Sequence, residues 1–507
     1  MIKTLFTCLL FTLGVQVALS QTTAKIVDIE TGEGLPNADI QINGTDNIIS
    51  NTEGYFTIPG KNSADDTVVT VSYLGYSSAK MTVGELKNNQ LIIKLRPGIF
   101  ELQSVNVSNL NLANNPDSIM AAVKRNLARN YRSAEKPVKN MLFYRETSAF
   151  RPIKLEAEMT KSTGHKKKEL NGANAELKAF ASKLISHPPQ QFTDMLAHYY
   201  TAKKTVKDKP ANISKFDVVK AVKLKDKNRS VELKELQEKV SGIVFKHLDS
   251  TKFYRMKSGL FGTRDTVLYA RGYQPKKEKE KKSSASSAKS GVMTLMSYSN
   301  FAQSPDLDFI TKQELYEYTY EGLTQSQDNE WIYIINFAPK KRKAKYTGTL
   351  YVSEKDFAVV RADYELGKGK TLGGVNLKFI LGVKQSENLS KGTLIFKERE
   401  NEPGYYLQYA SRETGSYIYL NRPLKFIEIT EADDRDEVGF DLKVEANMVD
   451  KDEYFMMSRT EITEADFDKA KESEINFIHL DNYDPNIWKE YSAIEPLQEM
   501  KQFRTVE

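Results

Sequence analysis

AKIVDIETGEGLPNADIQINGTDNIISNTEGYFTIPGKNSADDTVVTVSYLGYSSAKMTVGELKNNQLIIKL, residues Ala24–Leu95, decides the fold of the first part of this chain. Ala24–Ile29 reads as a strand, and Thr31-Gly32-Glu33-Gly34 as a turn. A second strand follows at Ala38–Ile42. Asn51–Gly54 is another turn, and it opens the alternating run Tyr55, Phe56, Thr57, Ile58. Val68–Leu74 and Leu91–Leu95 supply two more strands. Short alternating segments, split by Gly, Asn and Asp at close spacing, predict a β-sandwich. Phe56 and Ile58 are expected to contribute to the sandwich, Phe56→Ala being costly if Phe56 faces the core, and Gly54 precedes the strand at a turn where a need for positive φ would make it irreplaceable. No residue of the stretch carries catalytic chemistry.

Before the sandwich, Lys3 followed by the apolar run Leu5–Leu19 and the small-x-small step Ala18-Leu19-Ser20 reads as a signal peptide over 1–20, cleaved before Gln21. Lipid attachment at Cys8 is the weaker alternative, because Cys8 lies early and follows Thr7. Cys8 is the single cysteine of the 507 residues, so the expected mature chain of 487 residues (507 − 20) has no disulfide and no thiolate metal site. A cysteine-free exported chain suits a bacterial periplasm or cell surface. The formal charge of +6 is mild for this length and is not a nucleic-acid signature. The expected mature chain has no apolar run long enough for a transmembrane helix.

The remaining sequence divides into a strand and linker over 98–116, a mixed α/β region over 117–273, a low-complexity loop over 274–291, an antiparallel β domain over 292–465 and a docking tail over 466–507. Asp117 is the expected cap of a helix reaching about Asn130, with Ile119, Val123 and Leu127 on one face. Strand-like segments follow at Asn140–Ala149 and Leu155–Thr160. Leu177, Phe180, Ala181 and Leu184 form a helical stripe that Pro188-Pro189 ends. Phe192, Met195, Leu196 and Tyr199 give a second helical stripe, and Leu233, Leu236 and Val240 a third. Gln274–Gly291 lacks large apolar side chains and reads as a disordered tether. From Leu315 onward, consecutive strands with short turns predict an antiparallel meander, a sheet able to curl into an open barrel with the middle helices as candidates to cover it. One of these strands is placed at Val375–Val383. Tyr483, Asp484, Pro485, Trp488 and Tyr491 are the docking points expected in the tail. The fold class is therefore mainly β with an α/β middle.

The residues of the first module resemble the carboxypeptidase regulatory-like domain, a transthyretin-like sandwich. The resemblance lies in Lys25-Ile26-Val27-Asp28, Leu35-Pro36-Asn37-Ala38, Asn51-Thr52-Glu53-Gly54-Tyr55-Phe56 and Ser72-Tyr73-Leu74-Gly75-Tyr76. It implies a structural or interaction domain rather than an enzyme. Asn130-Tyr131-Arg132, Phe143-Tyr144-Arg145-Glu146 and Tyr483-Asp484-Pro485-Asn486-Ile487-Trp488 resemble segments of exported Bacteroidota proteins that carry this domain ahead of a β-rich body of unknown function.

The search for chemistry yields little. A zinc carboxypeptidase needs a His-x-x-Glu pair and a distant histidine. None of His165, His187, His198, His247 and His479 begins that pattern. No Gly-x-Ser-x-Gly elbow is present, and Gly367–Gly374 reads as a hairpin loop. Asp433, Asp434, Asp436 and Glu437 have calcium-type oxygens but lack the spacing of a known loop. Arg145 with Glu146 and Glu158 reads as a surface or edge ion pair, with a polar cluster the sharper alternative. Lys340, Lys341, Arg342, Lys343 and Lys345 read as a basic turn tip, with lipid phosphate the sharper alternative. The sequence therefore predicts no catalytic, cofactor or metal residue. It predicts a non-enzymatic exported protein that binds or scaffolds at the periplasm or outer membrane, with an outer-membrane or periplasmic protein, or lipid, as partner. One rival is a carrier holding an acyl chain against residues such as Trp331, Ile335 and Phe379; another is an unrecognised hydrolase.

Overall fold

The computed structural model describes residues 21–98, 115–163, 167–226, 252–258, 261–268, 285–326, 329–431, 433–488, 491 and 494–504. The expected signal peptide with Cys8, the strand Phe100–Val107, the helix through Leu233, Leu236 and Val240, and residues 274–284 of the expected tether lie outside them. The chain forms two compact units. One joins the N-terminal residues to Asp484–Lys501; the other is the body.

The first unit holds β1 (Thr22–Asp28), β2 (Asp39–Ile42), β3 (Asp46–Ile49), β4 (Tyr55–Ile58), β5 (Val68–Ser72), β6 (Ala79–Thr82) and β7 (Ile92–Leu95). One sheet has the order β4-β1-β7 and the other β3-β2-β5-β6. Alternation sends Ile26, Ile40, Ile42, Phe56, Ile58, Val69, Val71 and Ile93 into one core. Helix α1 (Val83–Asn88) closes it with Val83 and Leu86, and Thr82 and Glu85 form its capping box. Gly54 has φ +85°, and a Cβ there would stand 2.5 Å from the Ile26 carbonyl oxygen. The turn before β4 thus admits only glycine without a shift of backbone. Asn51 builds the same turn, its Oδ1 accepting from the backbone N–H of Glu53 and Tyr55, both at 2.9 Å.

The last part of the expected tail belongs to this unit. Asn51 Nδ2 donates to the Glu495 carbonyl at 3.2 Å, and Thr57 Oγ1 donates to Glu495 Oε2. Trp488, Ile494 and Met500 are buried.

The body is built on one 14-stranded sheet among the described residues. Its elements are α2 (Pro116–Asn130), β8 (Val138–Ser162), α3 (Lys167–Ser186), β9 (Gln190–Val206), β10 (Lys209–Lys225), β11 (Phe253–Ser258), β12 (Phe261–Leu268) and α4 (Ala285–Tyr298). They continue with β13 (Tyr316–Gln325), β14 (Trp331–Pro339), β15 (Tyr346–Ser353), β16 (Val359–Leu366), β17 (Gly374–Leu377), α5 (Lys378–Leu381), β18 (Val383–Glu398), β19 (Tyr405–Glu428), β20 (Glu437–Glu461), α6 (Glu464–Lys469) and β21 (Phe477–Leu480). The strand order is β13-β14-β15-β16-β18-β19-β20-β8-β9-β10-β21; β11 pairs with β12 and β19, and β17 with β18. All pairs are antiparallel except β10 with β21.

Several expectations change here. The regions separated in sequence as 117–273 and 292–465 share this sheet, because β8 pairs with β20 across about three hundred residues of chain. The sheet is open: no pairing joins β13 to β21 among the described residues. Phe192, Met195, Leu196 and Tyr199 lie on strand β9, not on a helix. That strand is buried on both faces, and two interleaved period-2 patterns imitate a helical stripe. Residues 285–291, assigned to the tether, begin α4, whose Val292 and Leu295 anchor it to the sheet core while Lys289 Nζ donates to the Ser214 carbonyl at 2.6 Å. Asn115, not Asp117, caps α2, with its side chain accepting from Ser118 N–H at 3.1 Å; Pro116 occupies the first helical position. The expected strand Val375–Val383 is broken by α5. The tail is divided, since β21 extends the sheet while Asp484–Lys501 joins the sandwich.

Register organises the sheet. Tyr320, Ile335, Leu350, Ala362, Leu394, Ala410, Tyr454, Tyr144 and Met195 stand opposite one another across nine successive strands. This apolar row lies under α2, α4 and the segment carrying Phe301, Leu307, Phe309 and Ile310. One residue along, the row Thr319, Asn336, Thr349, Asp363, Thr393, Ser411, Glu453, Arg145 and Asp194 is polar throughout and points to the other face. Helix α3 covers the far end of the long strands, with Leu177 against Met159, Phe426 and Phe440 and Leu184 against Phe150.

Candidate functional site

A cavity of about 280 Å³ lies in the body where the end of α2 and the end of α4 meet strands β8, β9, β18, β19 and β20. The volume falls just below the roughly 300–1,000 Å³ usual for small-molecule sites, so only a small ligand would fit. Its walls are mixed: Val138, Ala202, Met296, Phe396, Leu407 and Met456, with the rings of Tyr131, Tyr199, Tyr405 and Tyr406, stand beside the polar Ser133, Asn140, Thr201, Asn212, Ser299 and Asn300. Three arginines, Arg132, Arg399 and Arg459, line it too.

Each polar group is placed by a local device. Tyr131 ends α2, and its hydroxyl donates to the Val359 carbonyl at 2.9 Å and accepts from Val359 N–H at 2.8 Å, pinning the helix end to β16. This fixes the next residue, Arg132, whose Nε donates to the Pro403 carbonyl at 3.3 Å. Arg399 begins the loop between β18 and β19, closed by Arg399 N–H to the Gly404 carbonyl at 2.9 Å. Its Nη2 donates to the Arg132 carbonyl. Arg459 stands on β20 directly opposite Asn140 of β8.

The charges do not balance. Glu402 Oε1 lies 3.4 Å from Arg399 Nη1 and 3.3 Å from Arg459 Nη2, so one carboxylate serves two guanidiniums. The Arg399 and Arg459 side chains are only 5% and 14% exposed. Arg399 Nε and Nη1 and Asn140 Oδ1 are buried without a hydrogen bond among the described residues. Burial, opposed by Glu402 and more weakly by Glu135 (itself paired with Lys203) and reinforced by the positive charges of Arg459 and Arg132, holds the Arg399 guanidinium below its usual range. Buried donors left open beside an excess of positive charge favour an anion. The apolar side chains of the walls favour hydrocarbon or a ring.

The residues singled out in the sequence lie elsewhere. Arg145 is not an edge residue, and it pairs with neither Glu146 nor Glu158. It is buried and makes a bidentate pair with Asp194 of β9, at 2.7 and 2.8 Å. Strand alternation turns Glu146 to the opposite face, and Glu158 stands beside Asp441. Asp436 and Glu437 are engaged by lysines, Asp436 by Lys252 and Glu437 by Lys161 and Lys425. No group of three His, Cys, Asp or Glu among the described residues could hold a metal ion. His198 Nδ1 is 3.8 Å from Asp217. Lys340–Lys345 form the turn between β14 and β15. Ile335 is core and Trp331 packs against that core, while Phe379 is almost fully exposed. Trp331, Ile335 and Phe379 therefore do not line one cavity. Arg399 and Arg459 were missed because a lone arginine near a strand end carries no sequence signal; only Arg132 lay within a stretch already quoted.

Residues 23–107 match the family model of the CarboxypepD_reg-like domain, so the opening sandwich is a domain of that family. The curated proteins contain no match to the chain. Among the described residues, no helix is long and apolar enough to cross a membrane.

Proposed function

We propose that this chain is a non-enzymatic, exported binding protein of the periplasm or outer membrane, and that its body holds a small anionic, partly apolar ligand. The observation that carries this reading is the set of three arginines, two of them sharing the Glu402 carboxylate, at a partly apolar cavity. It favours the carrier form of the binding role over a purely structural scaffold. The ligand's acidic group would complete the open donors of Arg399, and its apolar part would lie against Met296, Phe396 and Met456.

The test uses the chain from Gln21 to Glu507 titrated with the anionic fluorophore anilinonaphthalene sulfonate, then competed with decanoate or decanol. Decanoate should displace the probe better than decanol. Arg459→Gln should weaken probe binding roughly 10- to 100-fold, the effect of losing a charge-assisted hydrogen bond of about 1.5–3 kcal/mol. Equal binding by wild type and variant would sink the cavity reading. Covalent reaction with a broad serine-hydrolase probe would overturn the non-enzymatic part, and an intact mass from the native host that retains residues 1–20 would overturn export.

A further inference from the structure

The turn joining β17 to β18 is apolar and points into solvent. Phe379 is 99% exposed and Ile380 79%, the two highest values for large hydrophobics among the described residues. Val375 and Leu377 beside them are also exposed. Single exposed hydrophobics are ordinary, but four within six residues form a patch.

The turn is built to hold them outward. Lys378–Leu381 make the single helical turn α5, closed by Gly382 at φ +64°. The Gly382 carbonyl accepts from Asn421 N–H at 2.8 Å, and a Cβ on Gly382 would collide with the Asn421 carbonyl oxygen at 2.0 Å. The turn is thus locked to β19. Immediately behind the apolar tip, the Lys378 ammonium lies 4.2 Å over the Tyr419 ring and the Lys384 ammonium 5.4 Å over the Tyr417 ring. The nearby acids are Glu445, which accepts from the Tyr417 hydroxyl at 2.6 Å, and Glu387 beside Gly373.

We propose that this tip is a membrane-contact site for an anionic lipid surface. Phe379 and Ile380 enter the acyl boundary, Tyr417 and Tyr419 sit at headgroup depth, and Lys378 and Lys384 meet the anionic headgroups. The ordering of apolar groups outermost, then rings and ammonium groups, matches the layering of a bilayer surface. A second protein copy would offer no reason for the lysines.

Flotation of the Gln21–Glu507 chain tests the proposal, with vesicles of phosphatidylcholine alone or in equal parts with phosphatidylglycerol. The wild type should float with the mixed vesicles. The double variant Phe379→Asp/Ile380→Asp should lose at least tenfold in vesicle affinity with an unchanged thermal melt, since both side chains are exposed. Lys378→Gln/Lys384→Gln should lose the preference for phosphatidylglycerol. A wild type that stays unbound, or an aspartate variant that floats equally well, overturns the proposal. So does a tip-dependent dimer in sedimentation without vesicle binding.

Discussion

Removing the Asp194 carboxylate from beside Arg145 is the most discriminating perturbation of the body. The Arg145 and Asp194 side chains are 2% and 1% exposed, and two hydrogen bonds of 2.7 and 2.8 Å join them across β8 and β9. On the other flank Glu453 stands opposite Arg145, with Lys451 at 2.9 Å and the Tyr409 hydroxyl at 3.1 Å. Two cations and two anions therefore balance. Burial pushes the Arg145 guanidinium down, but the Asp194 carboxylate, with Glu453, more than offsets it and holds the group above its usual range. Asp194→Ala leaves that charge uncompensated and should cost about 3–5 kcal/mol. Arg145→Met/Asp194→Leu removes both charges and fills similar volume. It should cost less than either single change, with a coupling energy above roughly 2 kcal/mol. Urea unfolding followed by circular dichroism reads this. With m at or above about 3 kcal/mol/M, the single variant's midpoint should fall by about 1 M. A loss below about 1 kcal/mol for Asp194→Ala would mean that water reaches the pair, and the buried-pair reasoning would fail.

In the sandwich, Phe56 is fully buried, so Phe56→Ala should cost about 3–5 kcal/mol, and an unchanged melt would place the side chain outside. Gly54→Val meets both positive φ and the Ile26 carbonyl, so it should lower the melting temperature strongly, whereas Gly32→Ala meets positive φ (+74°) but no clash and should cost less, about 1 kcal/mol. Burial raises the Glu453 carboxyl, but Lys451 and Arg145 outweigh it and hold the group below its ordinary 4.5. A depressed acid stabilises above its unfolded value, and that stability is lost as pH falls through the folded value. Stability measured from about pH 7 to about pH 3 should therefore fall less steeply for Glu453→Gln than for wild type, and parallel curves would refute the linkage.

The sandwich was legible in the sequence because its information is local. Period-2 alternation at Tyr55–Ile58 fixes which side chains face inward, and the Gly54 turn fixes where the strand begins. Helices α2 and α3 were legible for the same reason, since one apolar stripe decides a docked helix. Strand β9 was not, because burial of both faces erased its alternation. The polar row from Thr319 to Asp194 was invisible: its members come from nine strands, and only their register makes them neighbours. The arginine-lined cavity is of the same kind. Arg132 follows a helix, Arg399 opens a hairpin loop, and Arg459 ends a strand that pairs far back in the chain. Residue identity set the charge each one brings. Tertiary structure alone decided that all three line one cavity and that Arg399 and Arg459 share a single carboxylate, because long-range strand pairing sets those distances.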